Sequence, residues 1–298
     1  MIFRQKVGPT HCDVSPSDEN EMTMLEANGA RIPPIGLGTM TLQDAVCVEA
    51  VKTALRLGYR HLDTAERYGN EAAVGEGLHQ GLRETGLKRE EVFVTTKVYH
   101  DKLAPADFAR SFEESLDKLK LPWVDLLLIH WPNPKIPLAE TIGALCREKK
   151  AGRTRHVGVA NFTTALLDQA VALASEPLVA NQVEVHPFLD QSKVLAAARK
   201  HGMVVIAYCP IARGKVPGNA VLERIGKAHG KSPAQVSLRY LVQQGISPIP
   251  RTANPDHLAA NLAVFDFALS EAEMAEIDRL KKPDGRVVNP PHAPKWDD

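Results

Sequence analysis

Residues 58–71 read Gly-Tyr-Arg-His-Leu-Asp-Thr-Ala-Glu-Arg-Tyr-Gly-Asn-Glu, and they bring a carboxylate, Asp63, close in sequence to a phenol, Tyr68. His61 and Asp63 are two apart, so a strand through them aims both side chains the same way, and a short loop can fold Tyr68 back over the mouth of that strand. The pair is a candidate for proton transfer; the competing reading makes Asp63 a turn former or helix cap and Tyr68 a loop aromatic. Other polar residues also stand where apolar runs end. Lys97 follows Val92-Phe93-Val94-Thr95-Thr96, and His130 follows Leu126-Leu127-Leu128-Ile129; Asn161, Gln182, His186, Tyr208 and the pair Arg251-Thr252 occupy similar places. Each has a plain alternative: a snorkelling rim lysine, a satisfied core histidine, a capping asparagine, a backbone-bonding glutamine, a packing tyrosine.

The elements that must position these groups follow one alternation. Short apolar strands are expected at 35–38, 60–63, 92–97, 124–130, 156–160, 179–184, 204–208 and 247–250. Amphipathic helices are expected between and after them at 44–57, 71–84, 105–119, 137–150, 163–174, 192–201, 220–229 and 233–243, with apolar residues three and four apart. Strands as continuously apolar as Val124-Asp125-Leu126-Leu127-Leu128-Ile129 suit a parallel sheet buried on both faces. Eight such units predict an α/β fold, a (β/α)8 TIM barrel. Asn28-Gly29 between two short apolar segments predicts a β-hairpin ahead of it. A helix capped by Ser270 and a proline-rich tail over 283–298, placed across the barrel mouth, complete the expectation. An open doubly wound sheet is the alternative, but Gly36-Leu37-Gly38-Thr39-Met40 is no Gly-x-Gly-x-x-Gly turn. In a barrel, the strand ends named above all open on one face.

The chain has 298 residues, a normal length for one such barrel, so 22–298 is expected to form a single domain after a flexible, polar extension over 1–21. Lysine plus arginine balances aspartate plus glutamate at 36 each, without a basic run. Neither nucleic acid nor a membrane surface is indicated as a partner, and a small molecule is expected. The lack of a long apolar run or a secretory leader leads to an expectation of cytoplasmic location. Cys12, Cys47, Cys146 and Cys209 are scattered without a CxxC pair, which suits reduced thiols and argues against a cysteine metal site.

Residues 58–71, Val94-Thr95-Thr96-Lys97, Leu127-Leu128-Ile129-His130-Trp131-Pro132, Val157-Gly158-Val159-Ala160-Asn161-Phe162, Asn181-Gln182-Val183-Glu184 and Ile249-Pro250-Arg251-Thr252 resemble the aldo-keto reductase family, in particular bacterial diketogluconate and aldehyde reductases. The resemblance implies a monomeric barrel that reduces aldehydes or ketones with NADPH. It implies Asp63, Tyr68, Lys97 and His130 as the catalytic tetrad. Tyr68 would be the proton donor, Lys97 would lower its pKa, Asp63 would hold Lys97 charged, and His130 would orient the carbonyl.

By the same resemblance, Asn161 and Gln182 would hold the nicotinamide carboxamide, with Tyr208 stacked on the ring. Gly38, Thr39, Met40 and Asp63 would border the cofactor, and Cys209, Pro210, Ile211, Arg213 and Gly214 would line the pyrophosphate path. Arg251, Thr252 and Asn254 would take the 2′-phosphate, with His257 and Asn261 at the adenine. Substrate would meet Met40, Tyr68, His130, Trp131 and Trp296. Three positions depart from the common family pattern: Ala160 replaces a serine, Met40 an aromatic, and His257 an arginine. The last implies NADPH preferred with NADH still usable. Two rivals stay open: a metal-dependent hydrolase using His61, Asp63, His130 and His186, and a nicotinamide-binding sensor with little turnover.

Overall fold

The computed structural model describes residues 23–282 and 284–297, so the expected extension over 1–21, and Cys12 in it, lie outside the described residues. Strands β1 (Leu25–Ala27) and β2 (Ala30–Ile32) form an antiparallel hairpin. Asn28 and Gly29 both take positive φ, 46° and 88°, as a tight two-residue turn requires. The main sheet then grows one strand per unit: β3 (Leu37–Gly38), α1 (Asp44–Leu57), β4 (His61–Asp63), α2 (Glu71–Thr85), β5 (Phe93–Val98), α3 (Pro105–Leu119), β6 (Val124–Ile129), α4 (Leu138–Lys150), β7 (Thr154–Ala160), α5 (Thr164–Leu173), β8 (Leu178–Glu184), α6 (Ser192–Lys200), β9 (Val204–Tyr208), α7 (Ala220–His229), α8 (Pro233–Val242), β10 (Ser247–Pro248), α9 (Pro255–Leu262) and α10 (Glu271–Asp278). The eight strands β3 to β10 pair in sequence order, all parallel.

Two backbone bonds join the first strand to the last: Gly36 N–H donates to the Pro248 carbonyl at 3.0 Å and Gly38 N–H to the Pro250 carbonyl at 3.1 Å. The open-sheet alternative is thereby overturned. Strand β10 is shorter than the expected 247–250 because Pro248 and Pro250 have no N–H to donate, although their carbonyls still accept. The glycines are required for contact: a Cβ on Gly38 would lie 2.7 Å from the Ile249 carbonyl oxygen, and one on Gly36 would lie 2.7 Å from the His61 ring.

The barrel has two apolar layers. Outward residues such as Val94, Val98, Leu127, Ile129, Val157 and Val159 pack against the helices. Inward residues Phe93, Leu126, Leu128, Ala160, Val204 and Ile206 fill the barrel together with Ala27, Ala30 and Ile32 of the hairpin. The hairpin is therefore a plug at the N-terminal end of the strands, and the apolar filling stops short of the other end. There the chain after α10 returns across the mouth. No described helix is long and apolar enough to cross a membrane.

Candidate active site

Strand parity decides which side chains reach the mouth. On β5, Phe93 and Thr95 point inward, so Lys97 does too; on β4, His61 and Asp63 share that face. Asp63 and Lys97 meet in the barrel with essentially no exposed surface. Lys97 Nζ donates to Asp63 Oδ1 at 2.7 Å and to the Thr64 carbonyl at 2.7 Å, and it lies 3.4 Å from the Tyr68 hydroxyl. Gln182 Nε2 donates to the other carboxylate oxygen at 2.8 Å. Tyr68 arrives on a single 3-10 turn, Glu66–Tyr68, closed by Gly69 at φ 68°. The ring of His130 stands edge to face with that of Tyr68, with centroids 5.7 Å apart.

Burial controls the protonation of this cluster. It pushes the Asp63 carboxyl up and the Lys97 ammonium down, each resisted by the other's charge. Burial, with the Asp63 charge as the next cause, holds the Tyr68 hydroxyl well above the ordinary phenol value. The lowering expected from Lys97 is thus set against the larger cost of removing a phenolate from water. Burial and the Lys97 charge drive His130 well below the usual imidazole value. Near neutrality Tyr68 therefore keeps its proton and His130 is uncharged.

A cavity of about 830 Å³ opens above these groups. Its lining includes Arg67, Tyr99, Trp131, Val288, Pro290 and His292 as well as Tyr208, Cys209, Pro210, Ile211, Arg213, Gly214, Arg251, Gly38 and Met40. Asn161 is held at φ 62°, where its amide donates to the His130 carbonyl at 2.9 Å and accepts from the Tyr208 hydroxyl at 2.7 Å. Asn161 and Gln182 each keep unused hydrogen-bonding capacity toward the cavity. Polar amides, a half-open phenol ring and, farther along, two guanidinium groups form a donor set that fits a nicotinamide dinucleotide.

Several expected site residues are not among those lining the cavity. Thr39 is buried, its hydroxyl donating to the Asp63 carbonyl at 2.9 Å, so it supports the floor and does not border the cavity. Trp296 is not among the lining residues; its indole N–H is bonded to Asn289 at 3.0 Å and its ring packs against Trp131 at 6.0 Å. Asn254 caps α9, its side-chain oxygen accepting from Asp256 and His257 N–H groups. Thr252 and His257 lie at the surface beyond the cavity lining, and Asn261 is largely buried with its amide against the Tyr59 hydroxyl. The proposed metal ligands are dispersed: His61 bonds Thr95 at 3.0 Å and His186 bonds Glu184 at 2.8 Å, and no group of three His, Cys, Asp or Glu among the described residues could hold a metal.

Sequence reading passed over Tyr99 and Arg67. Tyr99 is one residue beyond the end of β5, and its ring lies 5.5 Å from that of His130. Also missed was Glu184, whose two oxygens accept from the tail amides of Val287 at 2.6 Å and Val288 at 2.8 Å. The parity that aims Gln182 inward was the available signal for Glu184.

The aldo/keto reductase family model matches residues 34–282. The chain belongs to that family. Accordingly it is an oxidoreductase, similar to bacterial diketogluconate-type reductases. It is 41% identical over 270 residues to methylglyoxal reductase DkgB of Yersinia pestis, covering 89% of this chain and 99% of the relative. A crystal structure of a putative 2,5-diketo-D-gluconic acid reductase B matches the reductase at 45% identity and TM-score 0.91, covering 95% of this chain and all of that one. A Bombyx mori aldo-keto reductase solved in complex with NADP matches at 33% identity and TM-score 0.84, over 90% and 95% of the two chains.

Proposed function

We propose that the enzyme reduces aldehydes or ketones to alcohols with NADPH, Tyr68 giving up the proton. The observation that carries this is the position of the Tyr68 hydroxyl, which lies 3.4 Å from the buried Lys97 Nζ and opens on the same cavity as His130, with burial holding the phenol pKa up and the imidazole pKa down. When bound, the nicotinamide supplies the hydride. His130 hydrogen-bonds the carbonyl oxygen and orients it. Tyr68 transfers its proton to the oxygen as negative charge builds there.

Lys97 acts late in this sequence. Its ammonium lies too deeply in the Asp63 pair to ionise the resting phenol, but it stabilises the phenolate that exists only once the proton has left, which is where binding energy accelerates the step. Asp63 and the Thr64 carbonyl fix its position. Asn161, Gln182 and Tyr208 orient the nicotinamide. Arg251, with the Thr252 hydroxyl, reads the 2′-phosphate, while the exposed His257 adds little charge, so NADPH is preferred and NADH still serves. The relatives named above suggest small dicarbonyl compounds as substrates.

The test is loss of NADPH absorbance on adding methylglyoxal. Tyr68→Phe should lower the rate about a hundredfold or more while NADPH still binds; a variant retaining over a tenth of the activity would remove Tyr68 from this role. In the same titrations Arg251→Ala should weaken NADPH by about tenfold to a hundredfold, the loss of one charge-assisted contact. Equal weakening of NADH would show that Arg251 does not read the phosphate.

A further inference from the structure

Most charges around the mouth are matched. Asp63 is taken by Lys97 and Gln182, and Glu66 by Lys102, Ser111 and the Tyr99 amide. Arg213 and Arg251 line the cavity beside Cys209 and Gly38. Arg67 borders it beside Tyr68 and Tyr99, is exposed, and has neither a side-chain hydrogen bond nor an ion pair among the described residues. Its guanidinium rests over the Tyr99 ring at 5.3 Å, and that ring stands 5.5 Å from His130. An unpaired cation is thus stationed one aromatic ring away from the imidazole assigned to the carbonyl. The surface between is made of rings, from Tyr99, Trp131 and His292.

We propose that Arg67 is a specificity-determining residue that selects carbonyl substrates carrying a carboxylate, separated from the reacting carbon by a flat or apolar spacer. A guanidinium offers a carboxylate two parallel N–H bonds, and the rings below it would pack on the spacer while the carbonyl reaches Tyr68 and His130. The spacer matters. An acid with its carboxylate directly on the carbonyl carbon should gain less, because the Tyr99 ring lies against both the guanidinium and His130. This inference rests on the proposed carbonyl reduction.

The test compares 4-carboxybenzaldehyde with 4-formylbenzamide, which has nearly the same shape without the charge, in wild type and Arg67→Gln. Turnover is followed by NADPH absorbance, and binding separately by quenching of tryptophan fluorescence, since Trp131 lines the site. Wild type should favour the acid by about tenfold in kcat/KM and in affinity, Arg67→Gln should erase that preference by weakening the acid alone, and added salt should shrink it, because an exposed cation is screened. Equal effects of Arg67→Gln on both compounds, or no wild-type preference, would overturn the assignment. So would pyruvate gaining as much from Arg67 as the aromatic acid does. Absence of turnover with every aldehyde would end the reductase reading, while the ratio of binding constants would still decide the role of Arg67.

Discussion

Lys97 and Asp63 are each other's directly bonded opposite charge and both are buried, so neither is dispensable alone. Removing one partner of a buried pair leaves an uncompensated charge and costs about 3–5 kcal/mol. Lys97→Met should therefore lower stability as well as turnover. The pH dependence has a definite sign. Burial already raises the Asp63 carboxyl, and Lys97 supplies the largest opposing effect; without it the folded-state pKa rises further above the unfolded one. Such a group takes up a proton on folding, so its cost is small below the unfolded pKa and grows as pH rises through the folded value. The melting temperature of Lys97→Met should fall farther below wild type at pH 8 than at pH 5, and adding Asp63→Asn should remove the difference. A deficit independent of pH would mean that Asp63 is not the group left bare. The residues of this cluster were legible in the sequence because each ends an apolar run whose alternation aims it inward. Their protonation was not, since the phenol's pKa depends on how completely three strands and a turn exclude water.

Helices α1, α2 and α3 lie close against one another because α2 presents glycines at its contacts. A Cβ on Gly75 would sit 2.5 Å from the Leu119 carbonyl oxygen at the end of α3, and one on Gly77 would meet Val51 and the Val48 carbonyl of α1 at 2.8 and 2.9 Å. Neither glycine has an unusual φ, so the need is for space alone. Gly75→Ala gains helix propensity of up to about 1 kcal/mol but forces backbone apart, at a typical overpacking cost of about 1–3 kcal/mol. A lowered melting temperature with unchanged cofactor affinity is expected; a stabilised variant would show that α3 yields easily. Helix limits were readable to within a residue or two, since 3.6-residue periodicity and caps such as Ser232 and Ser270 survive in sequence. The glycine contacts were not, because they depend on which helices become neighbours. Strand β7 was misjudged at its start, beginning at Thr154 where 156 was expected, since Thr154 is polar yet still pairs with Val124 of β6.

At the scale of the molecule, the barrel is stopped at one end by the hairpin and spanned at the other by the tail. Among the ties of the tail, Glu184 holds Val287 and Val288, and Asp297 accepts from the backbone and side chain of Thr164 at 2.8 and 2.9 Å. Between these ties it contributes Pro290 and His292 to the substrate wall. Deleting 284–298 should change relative rates among aldehydes of different size by about tenfold, the order expected when one apolar wall is lost, and leave NADPH affinity nearly unaltered. Uniform losses across substrates with a lower melting temperature would instead make the tail part of the scaffold. The Glu184 tie also provides a clock. Two consecutive amide protons point at a carboxylate with no exposed surface, and they can exchange with solvent only while that grip is released. Deuterium uptake at Val287 and Val288, set against that of β8 beneath them, therefore times the opening of the mouth in the resting protein, with no substrate present.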